Sequence, residues 1–379
     1  MKQDSDLRNN LKSVRTRLGM SQQDLANIAG VTRQTISGVE SGQYAPSVAI
    51  TLRLAKSLGC QVEDLFWLEQ DLPEIEAVLA KEVPSGQQMR LSLARVGGQW
   101  IAYPLIGKDA FRQDMIPADA EGVSQAATDK VRVRLLDDNI AALHNTVVIA
   151  GCAPVISLWA RATERWHPQL RVQYNFANSM AALHSLCRGE AHIAGMHLYD
   201  PETGEYNIPF AREVLAGREA VMITLGVWEE GLLVQSGNPK GIKTVTNLVD
   251  AGATIVNREL GSGSRMLLEQ TLQQEQVPFH AIHGFEQIVK SHQDVGEAVA
   301  SGMVDAGIST ASVATIFGLG FVPMHQSRYD LVILKEYLEE APVQQLLSTL
   351  GHKLVHSQLE VLGGYDTSNI GEVVATIGN

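Results

Sequence analysis

Residues 257–265, Asn257-Arg258-Glu259-Leu260-Gly261-Ser262-Gly263-Ser264-Arg265, gather the residue types that hold an anion. A strand-like run, ATIVNREL, ends within it, and a helical run over 264–276 leads out. Between them Gly261 and Gly263 let backbone amides converge, Ser262 and Ser264 add hydroxyl donors, and the helix N-terminus adds its dipole. Two further strand-to-helix junctions have the same placement. One is Gly151-Cys152-Ala153-Pro154, with Pro154 suited to a first helical position; the other is Asn178-Ser179-Met180. At the first, Cys152 is expected to offer its backbone amide, since no basic neighbour in sequence would make its thiol reactive.

Other chemistry is weakly encoded. His192, His197, His283 and His292 lack helical ligand spacing, and Cys60, Cys152 and Cys187 are odd in number and far apart, so neither a metal site nor a disulfide framework is expected. No nucleophile and base are paired, and the glycine turn lacks the lysine of a phosphate-binding P-loop, which points away from an enzyme. The acids around Asp200-Pro201-Glu202-Thr203-Gly204-Glu205-Tyr206 read as a turn rather than a catalytic pair.

The elements that must position these loops alternate. TVVIAG is followed by the helical CAPVISLWARATERW, RVQYNFA by MAALHSLCRGE, then come AHIAGMHL, the separate runs AVMITLGV and GLLVQSG, ATIVNREL, helices around 264–276 and 295–301, DAGIST and FVPMH. Such alternation predicts parallel sheets wrapped by helices, with ligands at the carboxyl ends of the strands. Upstream, RLSLARV and QWIAYP flank Gly97-Gly98, a hairpin signal. Residues 69–82 read as a helical connector broken at Pro84-Ser85-Gly86, and residues 107–130 show no clear period.

The first 70 residues differ in kind. In LGMSQQDLANIAGVTRQTISGVESG (18–42), Ser21 stands as an N-cap three residues before Asp24, and Leu25, Ile28 and Ala29 share one face. Gly30 allows a sharp turn, Thr32 caps a second helix with Ile36 and Val39 inward, and Gly42 stops it. Apolar spacing at Leu7, Leu11, Val14 and Leu18, at Val48, Leu52, Leu54, Ala55 and Leu58, and near Val62 to Trp67 brings the total to five helices. Arg33, Gln34, Ser37 and Gly38 are left facing outward.

Charge follows the same division. The chain carries a net charge of −12, yet residues 1–60 hold eight Lys or Arg against four Asp or Glu, leaving 22 against 38 for the rest. A polyanion would be repelled by the whole and accepted only by the N-terminal module, and that weakly, so a dimer over a two-fold site is expected. With 379 residues and 45% apolar content there is enough for two or three cores; no run of 18 apolar residues spans a membrane, and the polar start MKQDSDLRNN implies a cytoplasmic location.

Residues 6–68 resemble the helix-turn-helix domain of the phage-repressor (XRE) class through S-Q-x-x-L-A, G-V-T-x-x-x-I-S and E-x-G. The resemblance implies that the second helix enters the major groove of an operator. By position, Arg33 and Gln34 read bases, Arg suiting guanine and Gln adenine. Ser37 shares their face, and Gln22 and Thr32 sit against phosphates. Arg15 and Arg17 are either weaker backbone contacts or part of a solvated helix face, and Glu40 is a structural partner. Gly38 fills a slot that in the family often carries a longer contacting side chain. Residues 131–379 resemble the two-lobed periplasmic-binding-protein-like domain, in the branch found with molybdopterin proteins and bacterial regulators. The carrying segments are RGEAHIAGMHLYDPETGEYN, GLLVQSGNPKGI, VNRELGSGSRMLLE and GGYDTSNIGEV. GSGSR is also similar to a loop of tungstate-binding proteins, which implies molybdate or tungstate as ligand.

On that resemblance the ligand-binding set is Gly151, Cys152, Ala153, Ser179, Asn257, Arg258, Ser262, Gly263, Ser264 and Arg265, with Ser309 and Thr310 closing from the other lobe. Arg265 either faces the cleft or pairs with Glu269, and Arg258 either binds ligand or bridges the lobes; Arg328 and Tyr329 are structural. The expected architecture is α/β and multidomain: a five-helix head (1–70), a connector with a hairpin (71–130) and the two-lobed domain (131–379). The function that follows is a ligand-responsive transcriptional regulator, with double-stranded DNA and a small oxyanion as partners, no other cofactor, and a homodimer or higher assembly. The alternative is a molybdopterin-related enzyme or carrier with a DNA-binding appendage.

Overall fold

The computed structural model describes residues 7–68, 72–110, 115–125 and 128–378. The chain divides into two compact units, Met1–Pro73 and Glu74–Asn379.

The first unit runs β1 (Leu7–Asn9), α1 (Leu11–Arg17), α2 (Gln22–Ala29), α3 (Arg33–Glu40), α4 (Val48–Leu58) and β2 (Phe66–Leu68). Local signals set its helix ends. The Ser21 hydroxyl accepts from the Asp24 amide while the Asp24 carboxylate accepts from Ser21, and Gly30 closes α2 at φ 65°. Thr32 caps α3 by accepting from the Thr35 amide. Leu11, Leu25, Ala26, Ile36, Val39 and Leu54 fill the core. Two expectations are corrected here. Among the described residues the head has four helices rather than five: Leu7 and the segment ending at Leu68 instead pair as antiparallel strands, with Leu7 opposite Leu68. Ile28 is 58% exposed, and Ala26 takes its inward place.

The second unit opens with a closed barrel of β3 (Glu74–Leu79), β4 (Gln88–Val96), β5 (Gln99–Pro104), β6 (Ala120–Val123) and β7 (Lys130–Leu135), in the order β3-β5-β4-β6-β7. The helical connector expected over 69–82 is therefore corrected from Glu74 onward; residues 69–71 lie outside the described ones. Ile75, Ala77 and Leu79 turn toward the barrel interior at strand spacing, and pairing with β7 on one side and β5 on the other overrides the helix propensity of this Glu- and Ala-containing stretch. The barrel is fastened to the following domain. Asp119 accepts two bonds from Arg171 at 2.5 and 2.9 Å, and the Ser92 hydroxyl donates to Gln173 at 2.9 Å.

Then follow α5 (Ile140–His144), β8 (Thr146–Gly151), α6 (Val155–Trp166), β9 (Arg171–Phe176), α7 (Ser179–Cys187) and β10 (Ile193–Met196). After a short hairpin, β11 (Tyr199–Asp200) with β12 (Glu205–Tyr206), come α8 (Ile208–Leu215) and β13 (Ala220–Val234). The second lobe holds α9 (Thr246–Asp250), β14 (Ile255–Arg258), α10 (Gly263–Gln274), β15 (Ile288–Val289), α11 (His292–Ala300), β16 (Ala306–Thr310) and α12 (Ala311–Phe317). The chain returns through β17 (Gly320–Leu334) to α13 (Lys335–Leu338), α14 (Ala341–Ser348), α15 (Lys353–Leu362), β18 (Tyr365–Asp366) and β19 (Val373–Ile377) on the first lobe. Among the described residues no helix is long and apolar enough to cross a membrane.

One sheet, ordered β15-β14-β16-β13-β17-β10-β8-β9, carries both lobes. β8, β9 and β10 are mutually parallel, as are β14, β15 and β16, but β13 and β17 run antiparallel to each other and to their outer neighbours. The two runs expected as separate strands, AVMITLGV and GLLVQSG, are one strand of 15 residues. Its register slips between Thr224 and Gly226 and again between Glu230 and Gly231. Gly226 has φ 134°, and a Cβ on Gly231 would lie 2.0 Å from the Val322 carbonyl oxygen. These two glycines let a single strand pair pass from one lobe into the other, and the candidate site sits at that crossover.

Candidate functional site

Glu230, on β13 at the crossover, is 1% exposed and collects three contacts. Ser264 donates to it at 2.6 Å, Ser327 at 2.5 Å, and His197 Nδ1 lies 3.2 Å away. Around it stand Trp228, whose ring centre is 4.9 Å from that of His197, 5.5 Å from His292 and 4.9 Å from Tyr329. Burial on its own would lower the His197 pKa, but the Glu230 charge and hydrogen bond, with Cys152 adjacent, outweigh it and raise the imidazolium to about 10. Burial would likewise raise Glu230, and the attraction of His197 instead holds it below the usual carboxylate range. His292 is pushed well below an ordinary histidine, first by burial and then by Arg258 and His197, so it is neutral.

The first lobe supplies Cys152, between β8 and α6, and His197, just after β10. The second supplies Arg258 at the end of β14, Ser264 in the first turn of α10 and His292 at the start of α11. The lobes touch over this cluster. The Met180 amide donates to the Gly261 carbonyl at 3.1 Å, and the Asn178 side chain donates to the Leu260 carbonyl at 3.2 Å. A Cβ on Gly263 would lie 2.1 Å from the His197 carbonyl oxygen, so the close approach of α10 to the first lobe requires glycine there.

Among the described residues, the buried side-chain nitrogens without a partner in the chain include both Nη atoms of Arg258, Nε2 of His197, Nε2 of His292 and Nε1 of Trp228. All belong to this crossover cluster. Arg258 is 1% exposed and only its Nε meets a carboxylate, Glu259 at 3.4 Å. An unpaired buried guanidinium is costly unless an acceptor reaches it.

The structure sorts the expected ligand residues. Arg258, not Arg265, holds buried guanidinium nitrogens without a partner. Arg265 pairs with Glu269 at 2.7 Å, donates to the Arg258 carbonyl at 3.3 Å and lies over the Phe285 ring, so its expected place in the cleft is corrected to one behind Arg258. Cys152 is corrected too: its amide donates to the Tyr329 hydroxyl at 3.3 Å, leaving the sulfur to face the histidines. Ser262 caps α10, Ser264 is spent on Glu230, and Ser179 accepts from the His197 amide. Asn257 braces the strand end through its contacts with the Arg258 amide and the Phe285 carbonyl. Ser309 holds His292, Thr310 meets Ser312, Gly151 accepts from the Tyr174 hydroxyl, and Ala153 is buried beside it. His197, Glu230, His292 and Trp228 escaped sequence reasoning, and Cys152, His197 and His292, which have no ligand spacing along the chain, are brought together by the fold.

The head presents its own candidate surface. Thr32, Arg33, Gln34 and Ser37 are exposed along the start and outer face of α3. Gln22 departs from expectation: its amide donates to Glu40 at 2.8 Å, and Glu40 is held by Arg15 at 2.6 Å. This internal network, with the Arg15 side chain 11% exposed and that of Glu40 4%, takes Arg15 and Gln22 from the phosphate-facing set and assigns them to fixing α1 and α2 against α3. Gly38 is close-packed, its notional Cβ 3.3 Å from Cβ of Tyr44, which explains why no longer side chain stands there.

A helix-turn-helix in a small bundle, followed in the chain by two lobes about a double-strand crossover, defines a helix-turn-helix protein with a binding-protein-like second domain. The chain belongs to the PBP superfamily, whose domain description matches residues 160–351, and its head to the helix-turn-helix family, matched over residues 11–65. The uncharacterized protein YvgK of Bacillus subtilis is 36% identical over 201 residues, 52% of this chain and 64% of its own length, so the chain spans just under two thirds of that relative. The uncharacterized HTH-type transcriptional regulator YgzD of Bacillus subtilis is 42% identical over 65 residues, 17% of this chain and 98% of its own. Among solved structures, a substrate-binding protein provisionally assigned to a phosphate ABC transporter of Clostridium perfringens, with bound phosphate, is 14% identical at a TM-score of 0.46, covering 58% of this chain and 98% of that one.

Proposed function

We propose that this protein is a ligand-responsive transcriptional regulator whose lobes enclose a small oxyanion, molybdate or tungstate favoured, and whose head reads an operator. The observation that carries the ligand class is the buried set of hydrogen-bond donors without acceptors, above all the two Nη atoms of Arg258. A guanidinium and an indole N–H only donate, and a dry enclosure strengthens each charge-assisted bond to an anion. A ligand that binds the closed lobes better than the open ones shifts that equilibrium by its difference in affinity, and this is the quantity that would be coupled to operator binding. Thermal unfolding of the full chain with molybdate, tungstate, sulfate, phosphate and small organic acids tests the reading. An anion at 100 times its dissociation constant adds about 2.7 kcal/mol. A flat response to every oxyanion sinks the ligand and leaves the fold untouched.

On the DNA side, Arg33 and Gln34 read base edges while Thr32 and Ser37 flank them, and two copies engage half-sites about 34 Å apart. The expected result for Arg33→Ala is a loss of about 1–3 kcal/mol of discrimination between the operator and a variant changed at one base, with oxyanion affinity unchanged. Competition gel shifts measure it, and identical discrimination by the variant removes Arg33 from the reading set.

A further inference from the structure

The unpartnered donors account for the oxygens of an anion, but not for three metal-ligating atoms gathered among them. Cys152, His197 and His292 are all buried, and the Cys152 sulfur and one ring nitrogen of each histidine lie within 4.8 Å of one another. Each imidazole is aimed by its other nitrogen, His197 through Glu230 at 3.2 Å and His292 through Ser309 at 3.1 Å, as the histidines of metal sites are aimed by their outer partners. The Ser309 hydroxyl also donates to the His292 carbonyl at 3.2 Å. His292 Nδ1 therefore carries the ring proton, and Nε2 is a lone pair. Bonds of about 2.3 Å to sulfur and about 2.1 Å to nitrogen would let one central atom bridge roughly the spacing seen.

A bare divalent cation fits this cluster badly, because the buried guanidinium of Arg258 stands in it with both Nη atoms unpartnered, and like charges repel strongly in a dry interior. The two demands, donors for oxygen and ligands for metal, meet in an anion whose central atom is a metal. We infer that the site takes a tetrahedral oxometalate of the molybdate or tungstate class by its centre as well as its oxygens, with Cys152 Sγ and His292 Nε2 joining the metal while Arg258 and Trp228 hold the oxo groups. This deepens the oxyanion reading and rests on it. The thiol S–H bond breaks, metal–sulfur and metal–nitrogen bonds form, and the proton passes to an oxo group, which becomes hydroxo. Coordination rises from four to six and no electron moves. Sulfate and phosphate offer similar oxygens around a main-group centre that does not add such ligands, so Cys152 becomes the residue that discriminates.

X-ray absorption at the tungsten edge, on the full chain loaded with tungstate, is expected to show a sulfur shell that free tungstate lacks. Cys152→Ala should lose that shell and lower the preference for tungstate over sulfate by about tenfold or more, the scale set by outer partners of metal ligands, while sulfate affinity is kept. An oxygen-only shell with tungstate still bound, or an unchanged preference in C152A, overturns the inference and leaves the oxyanion reading standing. Zinc alone stabilising the chain, with no response to any oxyanion, overturns both. The wild-type spectrum decides the matter even if the variant fails to fold.

Discussion

Arg258→Ala is expected to weaken oxyanion binding by about a hundredfold to ten-thousandfold while leaving the ligand-free chain at least as stable as the parent. The two effects have one origin. Both Nη atoms are buried and unpartnered, so in the ligand-free chain the guanidinium carries its desolvation cost with only a 3.4 Å contact to Glu259 to offset it. Removing it relieves that cost, as replacement of buried charge by apolar side chains often does. In the complex the same nitrogens make charge-assisted bonds worth about 1.5–3 kcal/mol each, and every 1.4 kcal/mol is about tenfold in affinity. Arg258→Lys should recover part of the charge but not the forked geometry. Arg265→Ala makes the contrast, because its Nε is satisfied by Glu269 and its plane by Phe285, so its loss costs affinity only through a looser Arg258 carbonyl. Calorimetric titration with tungstate and thermal unfolding without it give the two readouts. A ligand-free chain several degrees less stable in R258A, with affinity unchanged, would make Arg258 a bridge between lobes.

The ambiguity between the two arginines shows where sequence reasoning ends. The turn over 257–265 is legible because its parts are local: glycine where amides must converge, serine as the cap of α10. Which arginine serves it is not local. Arg265 has an acid one turn along its own helix and takes it, whereas Arg258 has a neighbouring acid only at the limit of contact and is left with its nitrogens bare. His197, Glu230 and His292 belong to three separated segments with no ligand spacing, and only the passage of β13 and β17 between lobes brings them together. The same long-range pairing explains the misread elements. β13 looks like two strands because Glu229 and Glu230 interrupt its apolar runs, while Gly226 and Gly231 stand at the register slips that let it cross. Residues 74–79 carry helix-forming types, yet two barrel neighbours decide their state. In the head, by contrast, the ends of α2 and α3 follow from Ser21, Asp24, Gly30 and Thr32 within a few residues of where they act.

Glu230→Ala is expected to cost the second unit about 3–5 kcal/mol, the scale of breaking a buried ion pair from one side. It strips His197, Ser264 and Ser327 of a common acceptor at the buried strand crossover. Glu230→Gln keeps the shape and should cost less, so the pair of variants separates charge from packing. The pH profile adds a test of sign. His197 is raised from 6.5 to about 10, so its contribution is full below pH 6.5 and fades as pH rises toward 10. Glu230 is lowered from 4.5, so its contribution is full above pH 4.5 and fades as pH falls through its depressed value. The stabilisation from the pair is therefore greatest between pH 4.5 and 6.5 and declines on either side. Subtracting the unfolding midpoints of E230Q from those of the parent across pH isolates this window from the head and from other titrating groups. A difference that stays level from pH 4.5 to 10 would mean that no charge is held between these two side chains, and the cluster would then have to meet an anion with Arg258 but without an imidazolium beside it.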